Sequence, residues 1–237
     1  MTMPHTVTLF DQELKAVAGR VSEMGGLTEA MLSDAVSALT RMDKDLARRV
    51  VAQDKRVDAL QFEVEEQAIL IIARRQPVAQ DLRDVIAAMR ISNDLERVGD
   101  LAKNIAKRVI AIDGSFDSKK FALGVEHMTE LTQAQLKDVL DAYANRDEET
   151  AVSVRERDDE VDAIYTSIFR ELLTYMMEDP RQISICAHLL FCAKNIERIG
   201  DHATNIAENV IYMATGVQPM DDRQKQDETG VVAEPTT

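Results

Sequence analysis

Four acidic residues stand out by type and spacing: Glu96 with Asp100, and Glu197 with Asp201. Each pair sits four residues apart in the block Glu-Arg-(Val/Ile)-Gly-Asp-x-Ala-x-Asn-Ile-Ala. On a helix such residues lie about 40° apart on one face, so each pair projects two carboxylates together. They repel by about 0.2–0.5 kcal/mol, and repeating the arrangement at matched positions invites a compensating cation. Oxygen donors without Cys favour a hard or borderline ion, among Mg, Ca, Mn, Fe and Zn. Asn104 and Asn205 continue the two faces, and Glu208 extends the second. Asp54 and Asp58 can add ligands from a neighbouring helix, with Asp158 and Asp162 as their counterparts. For the latter pair packing competes with ligation, because the stripe continues into Tyr165 and Phe169.

The duplication is what separates these acids from an ordinary solvated face. Residues 95–106 align with 196–207 at a shift of 101, and eight of the twelve pairs are identical. A weaker echo joins 54–60 to 158–164 at a shift of 104. The repeating unit is therefore about 100 residues. Apolar positions recur at three- and four-residue spacing, which predicts six helices at roughly 10–40, 45–75, 79–112, 117–145, 148–178 and 181–214. Asp43 is placed as an N-cap, and Pro77 and Pro180 mark breaks. Long helices joined by short loops run antiparallel, so the fold class is all-α: two tandem up-down-up three-helix bundles. The domains are an N-terminal extension (1–9), a first bundle (10–112), a second bundle (117–214) and a disordered acidic tail (215–237), whose polar composition cannot repay the entropy of ordering.

On the wheel of the third helix, Ile91, Leu95, Val98, Ala102, Ile105 and Val109 form a stripe opposite Glu96 and Asp100. In the sixth helix Ile196, Ile199, Ala203, Ile206 and Val210 oppose Glu197 and Asp201. The stripes are expected to be buried and all four acids substantially exposed. Gly99 and Gly200 cost about 1 kcal/mol each against Ala inside a helix, which calls for a close backbone approach or a functional need. Gly25-Gly26 reads as a site of tight helix packing. His188, four residues before Cys192, reads as core, and His202 as exposed.

Composition closes off other classes. Apolar residues make up 45% of the 237 and charged residues 30%, with nine Gly, five Pro and no Trp, a poor match to sandwich or Rossmann folds. A formal net charge of −14 opposes direct binding to nucleic acid or anionic lipid. Two cysteines without a Cys-x-x-Cys pair fit a reducing cytoplasm. With no basic-then-apolar opening and no long uncharged apolar stretch, the expectation is a cytoplasmic protein without direct membrane insertion. The P-loop, dinucleotide, zinc-protease and nucleophile-elbow motifs are absent, so the chain is read as a non-enzyme.

The paired Glu-Arg-(Val/Ile)-Gly-Asp blocks on repeated three-helix units resemble the PhoU family of phosphate-signalling accessory proteins. Met24-Gly25-Gly26, residues 73–77, the Tyr175–Asp179 run and Leu190-Phe191-Cys192-Ala193 are similar to the same family. The resemblance covers about residues 10–214. It implies a cytoplasmic regulator, dimeric and peripheral to the inner membrane through its partners, that carries multinuclear iron, zinc or manganese on the bundle surface. It further implies restraint of a phosphate ABC transporter through its ATPase subunit and contact with a phosphate-sensing histidine kinase. The repeats depart from one another where Asn195 stands for Asp94 and Glu208 for Lys107, so the two metal sites are expected to differ in charge. Two other classes stay open: a carboxylate-bridged metalloenzyme, which the outward acids disfavour, and a purely structural interaction bundle.

Overall fold

The computed structural model describes residues 3–112 and 119–219, with side chains from residue 9 onward except at 119, 120 and 158. Helices α1 (Met3–Arg41), α2 (Lys44–Arg75) and α3 (Ala79–Ala111) form the first repeat. The second comprises α4 (Lys119–Asn145), α5 (Glu148–Glu156), α6 (Asp158–Glu178) and α7 (Ile183–Thr215), with a 3-10 turn at Pro180–Gln182. No strand occurs among the described residues. Helix α1 starts at Met3, so the expected N-terminal extension is helical from there. Within the expected acidic tail, residues 220–237 lie outside the described residues.

The turns repeat as faithfully as the helices. Met42 and Arg146 both adopt a left-handed backbone, at φ 53° and 57°, and each leads into an Asp. Asp43 N donates to Ala38 O and Asp147 N to Ala142 O, both at 2.9 Å, closing the helix before. The Asp43 carboxylate then accepts from the N–H groups of Asp45 and Leu46, and that of Asp147 from Thr150, starting the helix after. The Leu46 and Thr150 hydrogen bonds hold the two carboxyl groups below their ordinary range. A depressed carboxyl stabilises the fold above its unfolded-state pKa and loses that contribution as pH falls through the folded one. The double variant D43A/D147A is therefore expected to melt lower than wild type near neutral pH. Its melting temperature should also respond less to acidification below about pH 4, read by circular dichroism.

One expected helix is two. The segment read as 148–178 breaks at Arg157, whose backbone leaves helical geometry at ψ 3°. Gln135 of α4 fills the gap, its amide donating to Arg157 O at 2.9 Å, and the Arg157 guanidinium reaches Asp138 at 2.6 Å. The break is held by a neighbouring helix, so local periodicity did not show it.

Central positions in the fold belong to α3 and α7. Sixteen of the 33 residues of α7 and thirteen of the 33 of α3 are buried, against eight of 32 in α2. Helix α7 packs on α3, α4, α5 and α6, and α3 on α1, α2 and α7, so the repeats join along α3 and α7. These two run antiparallel: Gln80 donates to Met213 O at one end, and Arg108 lies 4.4 Å over the Phe191 ring at the other. Both predicted apolar stripes are buried throughout, from Ile91 to Val109 and from Ile196 to Val210. A second seam joins α1 to α4, where a Cβ on Gly25 would lie 2.7 Å from Leu140 Cδ1; beside Gly26 there is open space.

Candidate functional site

The two motif glycines lie where the helices that carry the acids pair. A Cβ on Gly99 would lie 3.3 Å from Val57 Cγ1, and one on Gly200 would lie 3.7 Å from Val161 Cγ1 and 3.5 Å from Gln135 Oε1. Val57 and Val161 are themselves repeat equivalents at the shift of 104. Gly99 thus lets α3 approach α2 at the level of the acids, whereas a Cβ on Gly200 would meet only ordinary van der Waals contact, so the expected close approach is found at the first glycine and not at the second.

In the first repeat this crossing gathers four carboxylates. Asp54 and Asp58 come from α2, Glu96 and Asp100 from α3. Asp54 is only 7% exposed, while the side chains of Glu96 and Asp100 keep 20% and 29% of their surface. The expectation of substantially exposed acids is therefore corrected: α2 covers one side of the face. Burial, reinforced by the charge of Asp100, pushes the Glu96 carboxyl up. Burial and the charge of Asp54 do the same to Asp58. Lys103 answers this charge. Its Nζ lies 2.6 Å from Asp54 Oδ2 and 2.5 Å from Asp100 Oδ1, bridging α2 and α3. Burial opposes its charge, yet the hydrogen bonds to Asp100 and Asp54 outweigh burial and hold the ammonium above its ordinary range. Arg97 adds a second, exposed cation, 3.4 Å from Glu96 and 3.6 Å from Asp100. Gln61 extends the face, donating to Glu65 at 2.7 Å and to Asn93 at 3.5 Å.

The second repeat differs. Glu197 is 2% exposed and Asp162 5%, with Asp201 half-buried, so Glu197 is the clearest departure from the expected exposure. Four surrounding helices leave α7 almost no free face, which a wheel drawn for one helix does not register. Lys194 donates to Glu197 Oε1 at 2.8 Å while its Nζ stands 4.8 Å over the Tyr165 ring. Where the first repeat has Lys103, the second has Thr204, whose hydroxyl donates to Gly200 O within its own helix. Asp158, on the expected site, has a side chain outside the described residues.

Three further candidates point elsewhere. Asn104 lies beside Lys107, Arg108 and Phe191 in a groove of about 440 Å³ between α3 and α7. Asn205 donates to Asp94 of the first repeat at 3.5 Å, and Glu208 meets Arg155 of α5 at 3.5 Å. His202, expected exposed, is instead part-buried at the inter-repeat seam, with Nδ1 2.9 Å from Asp94 Oδ1. Lys103 and Lys194 were missed as members of the two faces, although their helical angles, about −20° from Glu96 and about 60° from Glu197, put them there.

The implied metal meets this geometry unevenly. On the first face the Lys103 ammonium fills the gap between Asp54 and Asp100 that an ion would need, so the residues do not fit a metal with that side chain in place. Among the described residues no group of three or more His, Cys, Asp or Glu is drawn together to hold a metal ion. Thiol chemistry has no foothold, since burial pushes Cys192 up to about 12 and Cys186 is also buried.

Two repeats, one of three helices and one whose middle helix is broken in two, joined along α3 and α7 and each carrying acidic residues beside its motif glycine, define a tandem-repeat helical bundle. The PhoU domain family matches at residues 21–109 and 125–210, one match per repeat. A relative from Rhizobium meliloti, "Phosphate-specific transport system accessory protein PhoU homolog", is 58% identical over all of both chains. A relative of the same name from Caulobacter vibrioides is 50% identical over 94% of this chain and 97% of its own. The crystal structure of PhoU from Pseudomonas aeruginosa superposes with a TM-score of 0.84 at 41% identity, covering 88% of this chain and all of the other. That of the phosphate transport system regulatory protein PhoU from Streptococcus pneumoniae gives 0.82 at 28%, covering 89% and 99%. The chain belongs to the PhoU family.

Proposed function

We propose that this chain is an accessory protein of phosphate-specific transport that acts in the cytoplasm as a negative regulator of phosphate uptake and of phosphate-starvation signalling. The observation that carries this reading is end-to-end identity of 58% to a relative with that transport-accessory name. The first acidic face supports it physically: a charge cluster held in one geometry by a close helix crossing is suited to docking a basic surface on a partner. The partners in this proposal are the ATPase subunit of a phosphate ABC transporter and a phosphate-sensing histidine kinase, with the chain acting as a homodimer. No described helix is long and apolar enough to cross a membrane, so contact with the transporter would run through its protein subunits.

The test is genetic and biochemical together. Deleting the gene should leave a phosphate-starvation reporter switched on in phosphate-rich medium, and the wild-type chain should restore repression. Gentle crosslinking in phosphate-replete cells should then recover the transporter ATPase with the tagged chain. Normal repression in the deletion strain, with no ATPase recovered, would reject the regulatory role.

A further inference from the structure

Repeats that keep eight of twelve residues in their shared motif have each placed a lysine on the acidic face, at positions that do not correspond. Lys103 follows Asp100 by three and corresponds to Thr204 in the other repeat; Lys194 precedes Glu197 by three and corresponds to Asn93. Lys103 touches two carboxylates on two different helices. We propose that Lys103 is a tethered cation: its ammonium takes the place of a metal ion on the first acidic face, joins α2 to α3, and keeps divalent ions out.

The physical grounds are geometric. An ammonium 2.6 Å from Asp54 and 2.5 Å from Asp100 already satisfies the oxygens that a metal would bridge. A divalent ion entering that gap would have to expel the ammonium, trading two hydrogen bonds and an opposite charge for like-charge repulsion at short range. The ammonium is also covalently attached, so it competes at a high effective concentration and needs no supply of metal. Asp54 and Asp100 gain a partner as the protein folds, and the crossing at Gly99 and Val57 is fixed beside them. On the second face Thr204 is turned onto its own helix backbone and provides no such cation at that position. The inference is independent of the regulatory reading, because it concerns which cation the fold itself carries.

Removing the ammonium while keeping the stem separates this from a packing role. The full chain, stripped with chelator, is titrated with Mn2+ by calorimetry and melted with and without excess Mn2+. K103M should bind one more Mn2+ per chain than wild type, melt lower in metal-free buffer, and recover most of that loss when Mn2+ is added. K103R, which keeps the charge, should bind no more Mn2+ than wild type. K103M/D100N, which removes the surplus charge, should melt above K103M in metal-free buffer and lose the extra Mn2+; it also serves if K103M alone folds poorly. Equal Mn2+ stoichiometry in wild type, K103M and K103M/D100N would overturn the proposal. So would a wild-type chain that loses an Mn2+ when Asp54 and Asp100 are both changed to Asn.

Discussion

Leu95→Ala lowers the unfolding free energy by about 2–5 kcal/mol, the range for emptying a fully buried Leu site. Leu95 has no exposed surface and stands on the inner stripe of α3, a helix packed by α1, α2 and α7. None of those neighbours can collapse into the space without disturbing another contact, which places the result in the upper half of the range. For a chain of this size that corresponds to a drop in melting temperature of roughly 4–20 °C. Ile196, its repeat equivalent on α7, is equally buried and should behave alike when cut to Ala. Changing the adjacent Glu96 to Gln should cost far less, because that side chain sits on the partly open face and its burial already penalises the charge. Urea titrations of the three variants read the difference. A Leu95→Ala chain as stable as Glu96→Gln would mean that α3 is not the central helix.

What the sequence disclosed was whatever one helix decides for itself or whatever the duplication repeats. The apolar stripes of α3 and α7, the N-cap at Asp43 and the close approach at Gly99 are properties of residues and their near neighbours in register. Those features survive into the fold unchanged. Features created where one helix meets another were not visible. Glu197 is buried because four helices enclose α7, not because its own wheel is apolar on that side. His202 finds Asp94 across the seam between the repeats, and the break at Arg157 is stabilised by Gln135 from α4. Lys103 is different, since its angle on the wheel put it on the acidic face from the start. Its signal is a cation three residues after Asp100, the opposite charge that answers the like charges four apart.

E96Q/D100N removes two charges from the first face without changing its shape, and the expected result is loss of repression in a chain that folds normally. The Glu96 carboxyl is pushed up, first by burial and then by Asp100. A raised carboxyl contributes its stability below the ordinary carboxylate range and forfeits it as pH rises through the folded value, so near neutral pH the ionised Glu96 weighs against the fold. Neutralising both relieves that repulsion, while Lys103 keeps Asp54 as a partner, so the melting temperature should stay within a few degrees of wild type. Docking should not survive, because Asp54 is buried against Lys103 and only the exposed Asp58 would then keep its charge for a basic partner. The starvation reporter is then on in rich phosphate at normal protein abundance, and less transporter ATPase is recovered after crosslinking. Charge loss elsewhere is controlled by E126Q/E130Q, two exposed acids with the same spacing on α4, which should repress normally. If E96Q/D100N also represses normally at normal abundance, the first acidic face is not a working surface. Docking would then fall to the groove beside Phe191, where Lys107 and Arg108 present the opposite charge.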